Sequence, residues 1–295
     1  VNIGLLTTRI KIPKVEFYIT NVCNLTCDHC NRFNNYNFKG WQAWSDHAET
    51  YARWAEYLDI EQIVVLGGEP LLNPTIIDWI QGLGKLWPCW KQILTNGHRL
   101  TKVKGLYDQL EVNKFWLGIS LHNENDFPQL EEDIRQFLPG PITEHHGKEN
   151  NRFNADYCFI DSKNMLLPLW TQNEFITSAL KTNKDGKFTL HNSNPEDAHS
   201  VCPMAQHKSY HFINGKLYKC GPVALFPEFD EQFGLDLTPE DRALMLSYKP
   251  LTVDEFETRG AEFFAELDNP IPQCKFCCGS PETEKIWPIR KGSKQ

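Results

Sequence analysis

No stretch of this 295-residue chain approaches 18 consecutive apolar residues, so it offers no segment able to cross a membrane as a helix. The apolar run Ile3–Leu6 near the start is too short for a signal-peptide core. Basic charge is also in short supply. Against 38 Asp and Glu stand 30 Lys and Arg, a net charge of −8, which argues against a broad phosphate-binding surface and so against nucleic acid as a partner. Internal repeats and low-complexity tracts are absent. With 41% apolar residues the chain can bury a core, and a cytoplasmic protein is the expectation.

Cysteine, by contrast, is abundant. Ten cysteines in a chain expected in a reducing compartment point to metal binding or chemistry rather than disulfides. Three fall within eight residues, Cys23, Cys27 and Cys30, and three within Cys274–Cys278. Cys202 and Cys220 lie between these groups, while Cys89 and Cys158 are isolated and read as buried apolar residues. Two separate metal-binding clusters are the simplest reading.

The first two thirds alternate strand-like and helix-like segments. Val15–Thr20, Ile63–Leu66, Gln92–Thr95 and Phe115–Leu121 read as strands; Trp44–Leu58, Thr75–Leu86, Lys102–Leu110 and Gln129–Phe137 read as helices. Tyr157–Ile160 and Phe188–His191 are further strands, with a helix expected near Trp170–Lys181 and an exposed loop over Gly140–Asn154. This βα rhythm implies a parallel sheet with helical crossovers. About six units fit before residue 195, too few for an eightfold barrel, so the expected fold is α/β, a partial (β/α)6 barrel over residues 1–195. Beyond that boundary, over residues 196–295, His211–Tyr218 reads as a hairpin turning at Asn214-Gly215. Thr238 and Thr252, each with an acid three residues on, read as helix starts. A smaller hairpin-plus-helix domain follows.

Cys23-x3-Cys27-x2-Cys30 stands directly after the first strand. Three thiolates on one tight loop can hold three irons of a cubane and leave the fourth open to a ligand, as catalytic metal sites keep an open position. A zinc site completed by His29 is the alternative. Gly67-Gly68-Glu69-Pro70 closes the second strand, where small residues let backbone approach a ligand.

This pairing resembles the radical S-adenosylmethionine (SAM) superfamily, whose motif is the same cysteine spacing followed by a glycine-rich Glu-Pro turn. The resemblance implies that Cys23, Cys27 and Cys30 bind a [4Fe-4S] cluster and that Gly67, Gly68, Glu69 and Pro70 contact SAM. His29 stands where the family usually carries an aromatic residue near the adenine. Thr95, Asn96 and Ser120, ending the third and fourth strands, are the further SAM contacts implied, and His122 is a candidate to face substrate. Cys202, the hairpin glycine Gly215 and Cys220, followed by Cys274, Cys277 and Cys278, resemble the C-terminal extension of SPASM and twitch enzymes. The shorter twitch arrangement fits, with one auxiliary [4Fe-4S] cluster on Cys202, Cys220, Cys274 and Cys277. Cys278 is the alternative last ligand, and His207 and His211 keep a mixed Cys/His zinc site open.

What the resemblance implies is reductive cleavage of SAM to a 5′-deoxyadenosyl radical, which takes a hydrogen atom from the substrate, with a reducing donor such as flavodoxin or ferredoxin supplying electrons. The substrate is read first as a peptide, as for many SPASM relatives. The alternative is a small polar alcohol, a sugar or aminocyclitol, dehydrogenated as in small twitch enzymes. A purely structural zinc module is the non-enzymatic reading. Trp41, Trp44, Tyr157, Trp170 and Arg152 lie near loop ends as possible substrate neighbours, and no catalytic acid or base is assigned.

Overall fold

The computed structural model describes residues 9–27, 30, 32–33, 39–172, 174–176, 180–266, 268–280, 283–285 and 290–291. Its main sheet contains β1 (Ile10–Tyr18), β2 (Leu58–Leu66), β3 (Trp90–Thr95), β4 (Phe115–Leu121), β5 (Ile142–His146), β6 (Tyr157–Asp161), β7 (Leu166–Thr171), β8 (Ser209–Ile213) and β9 (Lys216–Tyr218). Their spatial order is β9-β8-β1-β2-β3-β4-β7-β6-β5. The six strands from β8 to β7 in this order run parallel, and antiparallel pairs extend both ends. Helices α1 (Trp44–Tyr57), α2 (Ile76–Leu86) and α3 (Leu106–Asn113) cross over between the parallel strands β1 to β4, and α4 (Phe127–Phe137) follows β4. A parallel-stranded partial barrel is as expected, but two of its six strands are not the expected ones: Tyr157–Asp161 pairs antiparallel and Phe188–Leu190 lies in a separate two-stranded sheet, while Leu166–Thr171 and Ser209–Ile213, the latter beyond residue 195, take the parallel places.

Strand alternation divides the sheet into two faces. Val15, Phe17, Val65, Ile93, Leu117, Ile119 and Leu169 point outward into one core with the helices. On α2 the buried residues Ile76, Trp79, Ile80 and Leu83 recur at helical spacing and supply the matching stripe. Buried indoles also find acceptors: Trp54 Nε1 donates to Gly215 O at 2.9 Å and Trp79 Nε1 to Gln42 O at 3.0 Å.

The opposite, inner face carries Glu16, Tyr18, Val64, Leu66, Gln92, Leu94, Gly118 and Ser120. One half of it, around Tyr18, Val64, Leu66 and Ile213, packs against Phe226 and Phe229 of α7 (Gly221–Phe233) in a second core. Helices α5 (Pro195–Ser200) and α6 (Pro203–Gln206) precede β8, and α8 (Pro239–Leu246) and α9 (Phe256–Ala265) follow α7. Thr238 caps α8 by accepting from Asp241 N at 3.1 Å, and Thr252 forms a capping box with Glu255 ahead of α9, as the sequence predicts.

Three local expectations need correction. The helix expected near Trp170–Lys181 is extended chain where described: β7 ends at Thr171, and strands follow at Glu174–Ile176 and Leu180–Thr182. The exposed loop expected over Gly140–Asn154 contains edge strand β5, whose polar residues reflect its position at the sheet margin. Helix α3 starts at Leu106 instead of Lys102, because Gly105 ahead of it is left-handed, with φ of +75°. The hairpin β8–β9, placed beyond residue 195, joins the sheet directly: Glu16 pairs with His211 and Phe17 with Phe212.

Candidate active site and a second cysteine cavity

At the C-terminal ends of β1, β2 and β3 three loops meet. The cysteine loop leaves β1, and Cys23, Cys27 and Cys30 gather around Leu25. Cys23 Sγ accepts from Leu25 N at 3.4 Å. The Gly-Gly-Glu-Pro turn leaves β2 and lies directly on this loop. Gly68 N donates to Thr20 O at 2.7 Å and Glu69 N to Val22 O at 2.8 Å. A Cβ on Gly67 would fall 2.5 Å from Thr20 O, and one on Gly68 would fall 2.2 Å from Val22 O. Both glycines are therefore required for the two backbones to touch.

Glu69 ties in the third loop. Its buried carboxylate accepts from Thr95 Oγ1 at 2.7 Å, Asn96 N at 2.8 Å and Leu71 N at 2.9 Å. Burial pushes its pKa up, against the pull of these hydrogen bonds. Asn96 Nδ2 donates in turn to Asn24 Oδ1 at 2.8 Å, inside the cysteine loop. Glu69, Thr95 and Asn96 thus spend much of their hydrogen-bonding capacity fixing one loop to another. Pro70 opens a short 3-10 turn and is buried. Ser120 is buried on the inner face of β4. His122 contacts Gln172 O through Nδ1 at 3.1 Å, and burial lowers its pKa. His29 lies outside the described residues.

The four cysteines Cys202, Cys220, Cys274 and Cys277 line one partly open cavity of about 30 Å³. Cys202 precedes α6, Cys220 precedes α7, Cys274 lies within the short turn Pro272–Phe276, and Cys277 directly follows that turn. All four are free thiols. Burial, then the neighbouring Cys202 and Cys274, pushes Cys220 up to about 12; burial and the other three raise Cys277 well above the usual thiol range. Four thiolates in so apolar a site need compensating positive charge, which bound metal supplies. Buried Lys219 lies beside the cavity and donates to Glu266 O and Asn269 O. Neither Cys278 nor His207 nor His211 lines it, whereas His199 does. Among the described residues no three Cys, His, Asp or Glu are grouped to hold a single metal ion.

Between the two cysteine sites lies an ionic group that sequence reasoning missed. Arg32, two residues past Cys30, donates to the buried Glu16 of β1. His211 Nε2 lies 2.7 Å from the same carboxylate but out of hydrogen-bonding alignment. Burial pushes Glu16 up, yet His211 and Arg32 outweigh it and hold the carboxyl well below its ordinary range. A Cβ on Gly221, next to Cys220, would fall 2.0 Å from Arg32 Nη1. The one sequence signal was a lone acid in the apolar run Val15–Ile19.

Residues 17–144 match the Radical SAM superfamily. The matched segment spans both the cysteine loop and the Gly-Gly-Glu-Pro turn. Similar solved structures include native anSMEcpe with bound AdoMet, at 17% identity and TM-score 0.34, over 42% of this chain and 40% of that one. Streptococcus suis SuiB bound to S-adenosylmethionine aligns at 11% identity and TM-score 0.47, over 89% of this chain and 67% of that one. SuiB bound to the precursor peptide SuiA aligns at 11% and 0.38, over 92% and 70%. The chain therefore spans about 40% of the anSMEcpe chain it matches. No curated protein matches it. Among the described residues no helix is long and apolar enough to cross a membrane.

Proposed function

We propose that this chain is a radical SAM enzyme acting on a peptide, with Cys23, Cys27 and Cys30 holding a [4Fe-4S] cluster and Cys202, Cys220, Cys274 and Cys277 a second. The observation that carries the proposal is the backbone contact between the Gly67-Gly68 turn and the cysteine loop, which brings both SAM-related motifs to one mouth of the barrel. When bound, the first cluster supplies the electron that cleaves SAM to a 5′-deoxyadenosyl radical, and that radical removes a hydrogen atom from the substrate. Residues of this chain position the reactants. Gly67 and Gly68 keep the turn backbone close to the cysteine loop, and Glu69 holds the turn against β3. Thr95, Asn96 and Ser120 are the remaining SAM contacts in this reading, and His29 adjoins the adenine. The chemistry of the second donor set, four thiols around one cavity, suits a multi-iron cluster. A reducing partner such as flavodoxin or ferredoxin supplies electrons.

Anaerobic reconstitution tests the assignment. Wild-type protein should bind roughly eight irons per chain, four for each cubane, and form 5′-deoxyadenosine from SAM when reduced. Replacing Cys23, Cys27 and Cys30 with Ala should abolish deoxyadenosine and remove about half the iron. Cys277→Ser should deplete the other half, and Cys278→Ser should leave it. Full iron and undiminished deoxyadenosine in the triple variant would sink the proposal.

A further inference from the structure

Lys219 stands one residue before Cys220, where the hairpin strand β9 gives way to α7. It is 4% exposed, and it is fixed at both ends. Its backbone N donates to Tyr248 Oη at 2.9 Å, and its ammonium donates to the carbonyls of Glu266 and Asn269, which follow α9. The side chain cannot swing out to water without leaving those two carbonyls short of a donor.

Both acceptors are neutral. Among the described residues Lys219 forms no ion pair. Glu266 offers it a backbone carbonyl and not its carboxylate, whose Oε2 is buried without a hydrogen-bond partner. A buried ammonium is costly to the fold unless opposite charge compensates it. The groups able to do so here are sulfurs. Lys219 lines the same cavity as Cys202, Cys220, Cys274 and Cys277, and its positive charge reaches Cys220 and Cys274. Among the described residues no Asp, Glu or Arg lines that cavity, and beside the cysteines only His199 and Lys219 are ionisable there.

We infer that Lys219 sets the reduction potential of the second cluster, by holding a fixed positive charge against its cysteines so that the reduced form is favoured. The inference rests on the proposed function for the presence of that cluster. Iron and sulfide on four thiolates carry a net negative charge, and one electron taken from the reducing partner deepens it. A cation held in an apolar wall stabilises the more negative form further. The potential therefore lies above that of the same four cysteines beside a neutral side chain. Lys219 acts through the cluster, as a residue that positions charge.

A redox titration of the reconstituted full-length chain, with dithionite as reductant and electron paramagnetic resonance as the readout, tests this without turnover. The second cluster's signal is the one that survives when Cys23, Cys27 and Cys30 are replaced with Ala. Lys219→Gln removes the charge and keeps a donor, whereas Lys219→Arg keeps both. Lys219→Gln should lower the second cluster's reduction equilibrium constant about tenfold, or ~59 mV for one electron, and leave the first cluster's midpoint in place. Lys219→Arg should recover most of that shift. An unmoved second midpoint in Lys219→Gln, or an equal fall in Lys219→Arg, would overturn the inference. If Lys219→Gln cannot hold the second cluster, iron content decides. Recovery of that iron in Lys219→Arg supports the role of the charge, and its loss from both variants makes Lys219 a structural tie and overturns the inference. A wild-type chain with no second signal would instead overturn the proposed ligand set, a failure separate from these.

Discussion

Glu16 shows how much one residue can hold together. Its carboxylate lies on β1, yet its partners come from the cysteine loop (Arg32) and from β8 (His211), some 195 positions downstream. Removing one member of a buried ionic group leaves the others uncompensated, typically at about 3–5 kcal/mol. Glu16→Gln should therefore lower the urea-unfolding free energy at neutral pH by about 3 kcal/mol. The pH dependence has a definite sign. The folded carboxyl titrates far below its ordinary value of 4.5, so its stabilisation is fully present above that pH and fades as pH falls toward the folded value. The stability difference between wild type and Glu16→Gln should accordingly shrink on acidification below about pH 4.5. A difference that stays constant from pH 7 to pH 3 would show that Glu16 is not held ionised. Nothing in the sequence names this group beyond a lone acid in VEFY, since its partners are distant in the chain.

Elements were legible where their signals are local. The run IVVL ended by two glycines gave β2, and Asn214-Gly215 gave the β8–β9 turn, with φ of +50° and +71°. Where the signal is non-local, reading failed. Strand β7 contains Pro168 and ends in Trp-Thr, a pattern compatible with either period, and β5 is polar because it lies at an edge. The pairing of β8 with β1 is parallel and closes nearly 200 residues of chain, and no local pattern encodes it. The Gly-Gly-Glu-Pro turn is the opposite case, since its glycines are explained by a single contact. In Gly68→Ala the new Cβ would meet Val22 O at 2.2 Å, Val22 C at 2.5 Å and Cys23 N at 2.9 Å, all backbone, which cannot swing aside. The turn and the cysteine loop must separate. We expect reconstituted iron to drop by about half, one cubane of two, while circular dichroism still reports a folded protein. Retention of full iron would mean that the loop contact does not govern the first cluster.

At the scale of the molecule, the boundary near residue 195 separates two cysteine sites but does not separate two cores. Beyond it, β8 extends the parallel sheet at β1, and Phe226 and Phe229 of α7 cover Tyr18, Val64 and Leu66 on the inner face. Asn21 of the cysteine loop donates to Glu228 of α7 at 2.6 Å, and Trp54 of α1 donates to Gly215 in the hairpin. Cutting the chain at 195 would expose the backbone edge of β1 together with a row of large apolar side chains, the combination that drives aggregation. A fragment of residues 1–195 should therefore fail to give a monomeric, cooperatively melting species on size exclusion and calorimetry. Co-expression with residues 196–295 should restore a soluble one-to-one complex, because the missing strand and helix can dock from a separate chain. If the short fragment melts cooperatively alone, then the second core is an interface between independent domains, and the hairpin's place beside β1 contributes little to folding.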